Sequence, residues 1–117
     1  MNELIKEYMN AYSVELKELY FALRELIYSS ISQKQEIEEK LWAKLPSYYV
    51  GNFFVRLIPF KDHINIEASA IASHREKCTG YKITPKGMLQ IYIGDIIPAD
   101  ILKQLFAETL GRFKNSN

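Results

Sequence analysis

Two histidines, one cysteine and fourteen acidic residues are the side chains of this 117-residue sequence best suited to hold a metal or exchange a proton. His74 and Cys78 stand four residues apart, so a helix through them would present imidazole and thiol on one face. Zinc or iron accepts such a pair, but a site needs a third and usually a fourth ligand, and the spacing identifies none. A surface histidine beside a small cysteine is the simpler reading. Glu15, Glu18 and Glu25 line one side of a predicted helix, and clustered carboxylates suit hard cations. Lys17 and Arg24 are near enough in sequence to neutralise that stripe, which otherwise reads as a solvated face. His63 and Glu67 fall two strand steps apart and could bind a cation or pass protons. Their plainer roles are a ring contact to Phe60 and an ion pair to Arg56 across a hairpin. Arg75, Lys77, Lys82 and Lys86 with Tyr81 form the densest basic and aromatic stretch, a composition that suits a phosphate or another anion.

These residues need elements to position them. Leu4, Ile5, Tyr8 and Tyr12 recur at helical spacing before Ser13. Leu16, Leu19, Tyr20, Leu23, Leu26, Ile27 and Ile31 then follow the template of one helical face without interruption by Gly or Pro. From Gln33 to Leu45 composition favours helix, and Pro46 would stop one, although Leu41, Ala43 and Leu45 also alternate with Lys40, Trp42 and Lys44. Phe53 to Phe60 and His63 to Ser69 are two strand-forming runs separated by Lys61 and Asp62, which predicts a tight antiparallel hairpin. A two-residue loop pairs Phe60 with His63, Ile58 with Asn65, Arg56 with Glu67 and Phe54 with Ser69. One face of that hairpin is then apolar: Val55, Leu57, Pro59, Ile64, Ile66 and Ala68. The other mixes Phe54, Ile58 and Phe60 with Arg56, His63, Asn65 and Glu67, a composition suited to a groove or an interface. Ile71 to Cys78 reads as a short helix and Met88 to Ile93 as a strand with Leu89, Ile91 and Ile93 inward. Pro98 opens a last helix whose apolar face is Ile101, Leu102, Leu105, Phe106, Thr109, Leu110 and Phe113. Helices at both ends of antiparallel strands make an α+β domain occupying residues 1–117.

Composition bounds the function. At 48% hydrophobic and 25% charged residues the chain is ordinary for a folded protein, and its length suffices for one core. Net charge +1 argues against wholesale binding of nucleic acid. That near-neutral sum hides a division, because residues 1–40 carry net −3 and the remainder net +4. A single cysteine excludes an internal disulfide, and no window reaches the roughly 18 to 20 apolar residues of a membrane span. The N-terminus lacks the pattern of a secretory signal, so the expectation is a cytoplasmic protein. Phosphate-binding loops, dinucleotide fingerprints, zincin motifs and nucleophile elbows are missing from the sequence, which argues against a familiar enzyme.

The order of landmarks resembles the YdhG-like family of small bacterial proteins. The matching features are Leu23-Arg24-Glu25-Leu26-Ile27, Glu38-Glu39-Lys40, Leu45-Pro46, Pro59-Phe60-Lys61-Asp62-His63-Ile64, Gly80-Tyr81-Lys82, Lys86-Gly87 and Ile97-Pro98 followed by Leu102. The segment between Ser69 and Gly80 is shorter than in the family, and the aromatic after the Leu45-Pro46 pair is displaced to Tyr48. The resemblance implies a compact antiparallel sheet with helices packed on it, in a group compared with frataxin. It also implies that Glu39 to Leu45 is partly extended, against local propensity. Some members look like intracellular iron chaperones.

Two expectations follow. The first is a non-enzymatic, frataxin-like protein that holds iron weakly on Glu15, Glu18 and Glu25, or separately on His63 and Glu67, and delivers it to a protein partner. The second is a module that binds a small anionic ligand or peptide on the mixed hairpin face through Arg56, His63, Tyr81 and Lys82.

Overall fold

The computed structural model describes residues 1–32 and 36–111. Two helices come first, α1 (Glu3–Met9) and α2 (Val14–Ser29). Each begins on a polar cap: the Asn2 side chain accepts from the amides of Leu4 and Ile5, and Ser13 Oγ accepts from Leu16 N. Six strands follow: β1 (Glu38–Trp42), β2 (Leu45–Val50), β3 (Phe53–Pro59), β4 (His63–Ala68), β5 (Lys82–Ile83) and β6 (Leu89–Tyr92). A stretch of 3₁₀ turns kinked at His74 (Ser69–Cys78) separates β4 from β5, and α3 (Ala99–Gly111) ends the described chain.

The strands form one sheet in the order β1-β2-β3-β4-β6-β5, with every pairing antiparallel. The central hairpin has the predicted register, with Arg56 opposite Glu67 and Ile58 opposite Asn65. Val55, Leu57, Pro59, Ile64, Ile66 and Ala68 are all buried, as the alternation requires. They join Leu16, Leu19, Tyr20, Leu23 and Ile27 of α2 and Leu102, Leu105, Phe106 and Leu110 of α3 in a continuous core. The helices therefore cover one face of the sheet.

Several expectations are corrected. Composition favours helix from Gln33 to Leu45, yet Glu38–Trp42 and Leu45–Val50 are strands joined by Ala43 and Lys44, both at positive φ. Pairing with β3 and burial of Tyr48 and Val50 outweigh helix propensities worth only tenths of a kcal/mol per residue. Pro46 sits within β2 opposite Leu41 instead of ending a helix. The predicted helix over Ile71–Cys78 is 3₁₀ and kinked, and Ile93, expected inward, is 38% exposed just past β6. In α1 the inward residues are Ile5 and Met9, whereas Leu4 is 63% exposed. Gln33 to Gln35 and Phe113 lie outside the described residues.

Candidate functional site

The sheet face opposite the helices carries the alternate residues of each strand. One row crosses it as Lys40, Ser47, Arg56 and Glu67, another as Ile58, Asn65, Gln90 and Lys82. Arg56 lies at its centre and is only 6% exposed. Its guanidinium carbon stands 4.0 Å from the Trp42 ring centroid and 3.8 Å from that of Phe54. Its N–H groups donate to Ser47 Oγ at 3.0 Å, to the Tyr49 hydroxyl at 2.8 Å and to Glu67 Oε1 at 3.3 Å. Arg suits such a place because its planar, weakly hydrated cation stacks on rings while its edge donates. Trp42, 50% exposed, is the outer wall of this cluster.

A second aromatic group occupies the other end of the face. The His63 ring stacks between Phe60, centroids 4.7 Å apart, and Tyr92, 4.6 Å apart. His63 Nδ1 lies 2.8 Å from Asp62 Oδ1, which orients the imidazole. Between the two groups Asn65 is 8% exposed, with Nδ2 4.0 Å from the Met88 sulfur and a buried Oδ1 that has no partner among the described residues. An unpaired buried acceptor costs about 1–3 kcal/mol, a cost native proteins usually avoid.

The residues expected to hold a metal are spread apart. Glu15 and Glu18 rim a shallow groove of about 300 Å³ with Asp95, on the helix side of the molecule, and Glu25 is exposed farther along α2. Arg24, expected to neutralise that stripe, instead forms a 2.6 Å ion pair with Glu39 of β1. Glu67 is committed to Arg56, and His63 to its two rings and Asp62. Among the described residues no group of three or more His, Cys, Asp or Glu side chains could hold a metal ion.

The expected anion contacts also divide. Arg56 and His63 share the open face with exposed Lys82, but Arg56 spends its donors on Ser47, Tyr49 and Glu67. Tyr81 leaves that group, packing against the core with its hydroxyl donating to Ile96 O. His74 and Cys78 do not converge either. His74 Nε2 lies 2.8 Å from Glu108 Oε1 of α3, and this hydrogen bond holds the Glu108 carboxyl below its usual range. Cys78 is 3% exposed, and burial pushes its thiol pKa up. Sequence reasoning overlooked Trp42, Tyr49 and Tyr92, because the first two belong to a hairpin masked by helix-favouring composition. The alternation of Lys40, Trp42 and Lys44 was the available signal.

A crystal structure of YdhG from Bacillus subtilis, a protein of the DUF1801 family, superimposes on this chain with a TM-score of 0.77. The match covers 97% of this chain and 93% of that one at 15% sequence identity. The fold is YdhG-like. No protein-family model matches the sequence, and no curated protein matches it. The extended β1 agrees with what the resemblance implied for Glu39 to Leu45, against local composition. No helix among the described residues is long and apolar enough to cross a membrane.

Proposed function

We propose that this is a non-enzymatic binding protein whose recognition surface is the open face of the sheet, and that its ligand is an acidic peptide segment of a partner protein. The observation that carries this reading is Trp42, half exposed and laid over the fixed Arg56 guanidinium. Trp, Tyr and Arg are the side chains that dominate binding energy at interfaces, and here all three meet in one rigid cluster. Holding Arg56 in place beforehand lowers the entropy lost on association. Lys82 borders the face and favours an acidic ligand, and Lys40, over the Tyr49 ring and 3.6 Å from Glu38, adds a partly compensated charge.

Trp42 is the sole tryptophan, so its emission reports on the surface directly. Peptides selected from a random display library should shift that emission to the blue. In a polarisation assay, Trp42→Ala should weaken them at least about ten-fold, the loss of a moderate hot spot. Glu25→Ala on α2 should leave affinity unchanged. Equal binding to wild type and Trp42→Ala would sink the reading. Anaerobic titration with ferrous iron tests the competing expectation of iron delivery: micromolar binding that broadens the NMR signals of Glu15 and Glu18 alone would put metal transfer in place of peptide recognition.

A further inference from the structure

A cavity of about 510 Å³ opens at one end of the sheet, where the start of β3, the end of β4, the 3₁₀ segment and the turn between β5 and β6 meet. Its volume lies in the range of small-molecule sites, roughly 300–1,000 Å³. Phe53, Phe54, Ala68, Ala72 and Met88 make most of its wall apolar. Two charges sit at its edge. Glu67 is already paired to Arg56. Lys86 is exposed and makes no side-chain hydrogen bond or ion pair to any described residue. With Glu67 neutralised by Arg56, the uncompensated charge at the cavity is the ammonium of Lys86.

The loop that presents Lys86 is well held. Thr84 N donates to Met88 O at 2.8 Å, Gly87 N to Thr84 O at 2.8 Å and Met88 N to Thr84 Oγ1 at 3.1 Å. Gly87 has φ +88°, a conformation that favours glycine, so this turn is tied to its sequence. Met88 brings an unbranched, adaptable side chain to the wall, suited to ligands of varied outline.

We propose that this cavity binds a small monocarboxylate with an apolar body, its chain or ring against Phe54, Ala72 and Met88 and its carboxylate on Lys86. The site shares Phe54 and Glu67 with the peptide-binding face but stands independently of it, because its reporters are Ala68, Ala72 and Met88 and not Trp42.

Octanoate below its micellar range is the probe, with octanamide as its uncharged match, and methyl NMR is the readout. Octanoate should shift the methyl signals of Ala68, Ala72 and Met88 saturably, and octanamide should bind roughly two- to five-fold more weakly, the discrimination expected of one rim charge. Lys86→Gln, a surface change, should weaken octanoate to the level of octanamide while leaving octanamide unaffected. Ala72→Phe should fill the cavity and abolish both shifts, with the fold checked by far-UV circular dichroism. Absence of saturable shifts at these three methyls overturns the proposal, as does octanoate binding that is equal in Lys86→Gln and wild type. Loss of peptide binding in Trp42→Ala with octanoate binding retained would separate the two sites.

Discussion

Arg56 shows how a single side chain organises a surface. Its buried charge is compensated by Glu67 and by hydroxyls of Ser47 and Tyr49, and its faces are covered by Trp42 and Phe54. Replacing it by Met keeps much of the volume but removes the donor to the buried Ser47 Oγ, which still donates to Leu45 O, and leaves the Tyr49 hydroxyl and Glu67 without their cation. The expected loss is about 1–3 kcal/mol in urea denaturation, together with a shift in Trp42 emission as its cation is removed. The ion pair was legible from the hairpin register alone. The cage around it was not, because Trp42 and Tyr49 reach Arg56 from two other strands. Cys78 supplies a second test. Its buried, high-pKa thiol should react with a disulfide reagent at a rate set by unfolding, slow in buffer and fast in urea. Rapid reaction of the native protein would contradict its placement.

The β1–β2 hairpin turns on Ala43 and Lys44, with φ of 48° and 66°. Leu45 pairs directly with Trp42, so the loop has two residues. Such loops favour Asn-Gly, which tolerates positive φ at low cost, and Ala-Lys does not. The double substitution Ala43→Asn, Lys44→Gly should therefore stabilise the protein by about 1 kcal/mol, read as a higher urea midpoint with an unchanged slope. A lower midpoint would mean that the turn is held in another geometry. This unfavourable turn also explains why local composition hid the hairpin: its loop lacks the usual signal, and its first strand is Glu-Glu-Lys-Leu-Trp. Pairing with β3 and the burial of Tyr48 provide the stabilisation that the local sequence does not.

A buried polar network ties the first helices to the edge of the sheet. Glu39 projects from β1 onto the helix side, 7% exposed as a side chain, and receives Arg24 Nε at 2.6 Å and Asn2 N at 2.8 Å. The Asn2 amide also donates to Glu39 O, and the hydroxyls of Tyr20 and Tyr48 are hydrogen-bonded in the adjoining core. Burial pushes the Glu39 carboxyl up, but hydrogen bonds from Arg24 and the Asn2 amide outweigh it and hold the pKa below the usual value. A depressed folded-state pKa contributes stability that is fully present above the unfolded-state value, about 4.3, and is lost as pH falls through the lower folded one. Glu39→Gln should thus cost roughly 2–4 kcal/mol at pH 7 and flatten the decline of stability below about pH 4.3, measured by denaturation across pH. An unchanged acid limb would place the proton uptake elsewhere. In Glu39→Gln the Arg24 guanidinium loses its anionic partner and the Asn2 N–H its carboxylate, so the effect reaches α1, α2 and β1 together.

Periodicity by itself determined α2, the β3–β4 hairpin with its register, the apolar inner face and the C-terminal helix, because these elements alternate or repeat at the spacing their own backbones impose. The pairing of Arg56 with Glu67 and the contact of His63 with Phe60 came with that register. Only the tertiary structure decided that Glu38–Val50 is a hairpin, that Arg24 serves Glu39 instead of the acidic stripe, and that Trp42 and Tyr92 share one face with Arg56 and His63. Those outcomes depend on residues far apart in the chain being brought together, and burial gained through such contacts exceeds the small local preferences that a linear reading can weigh.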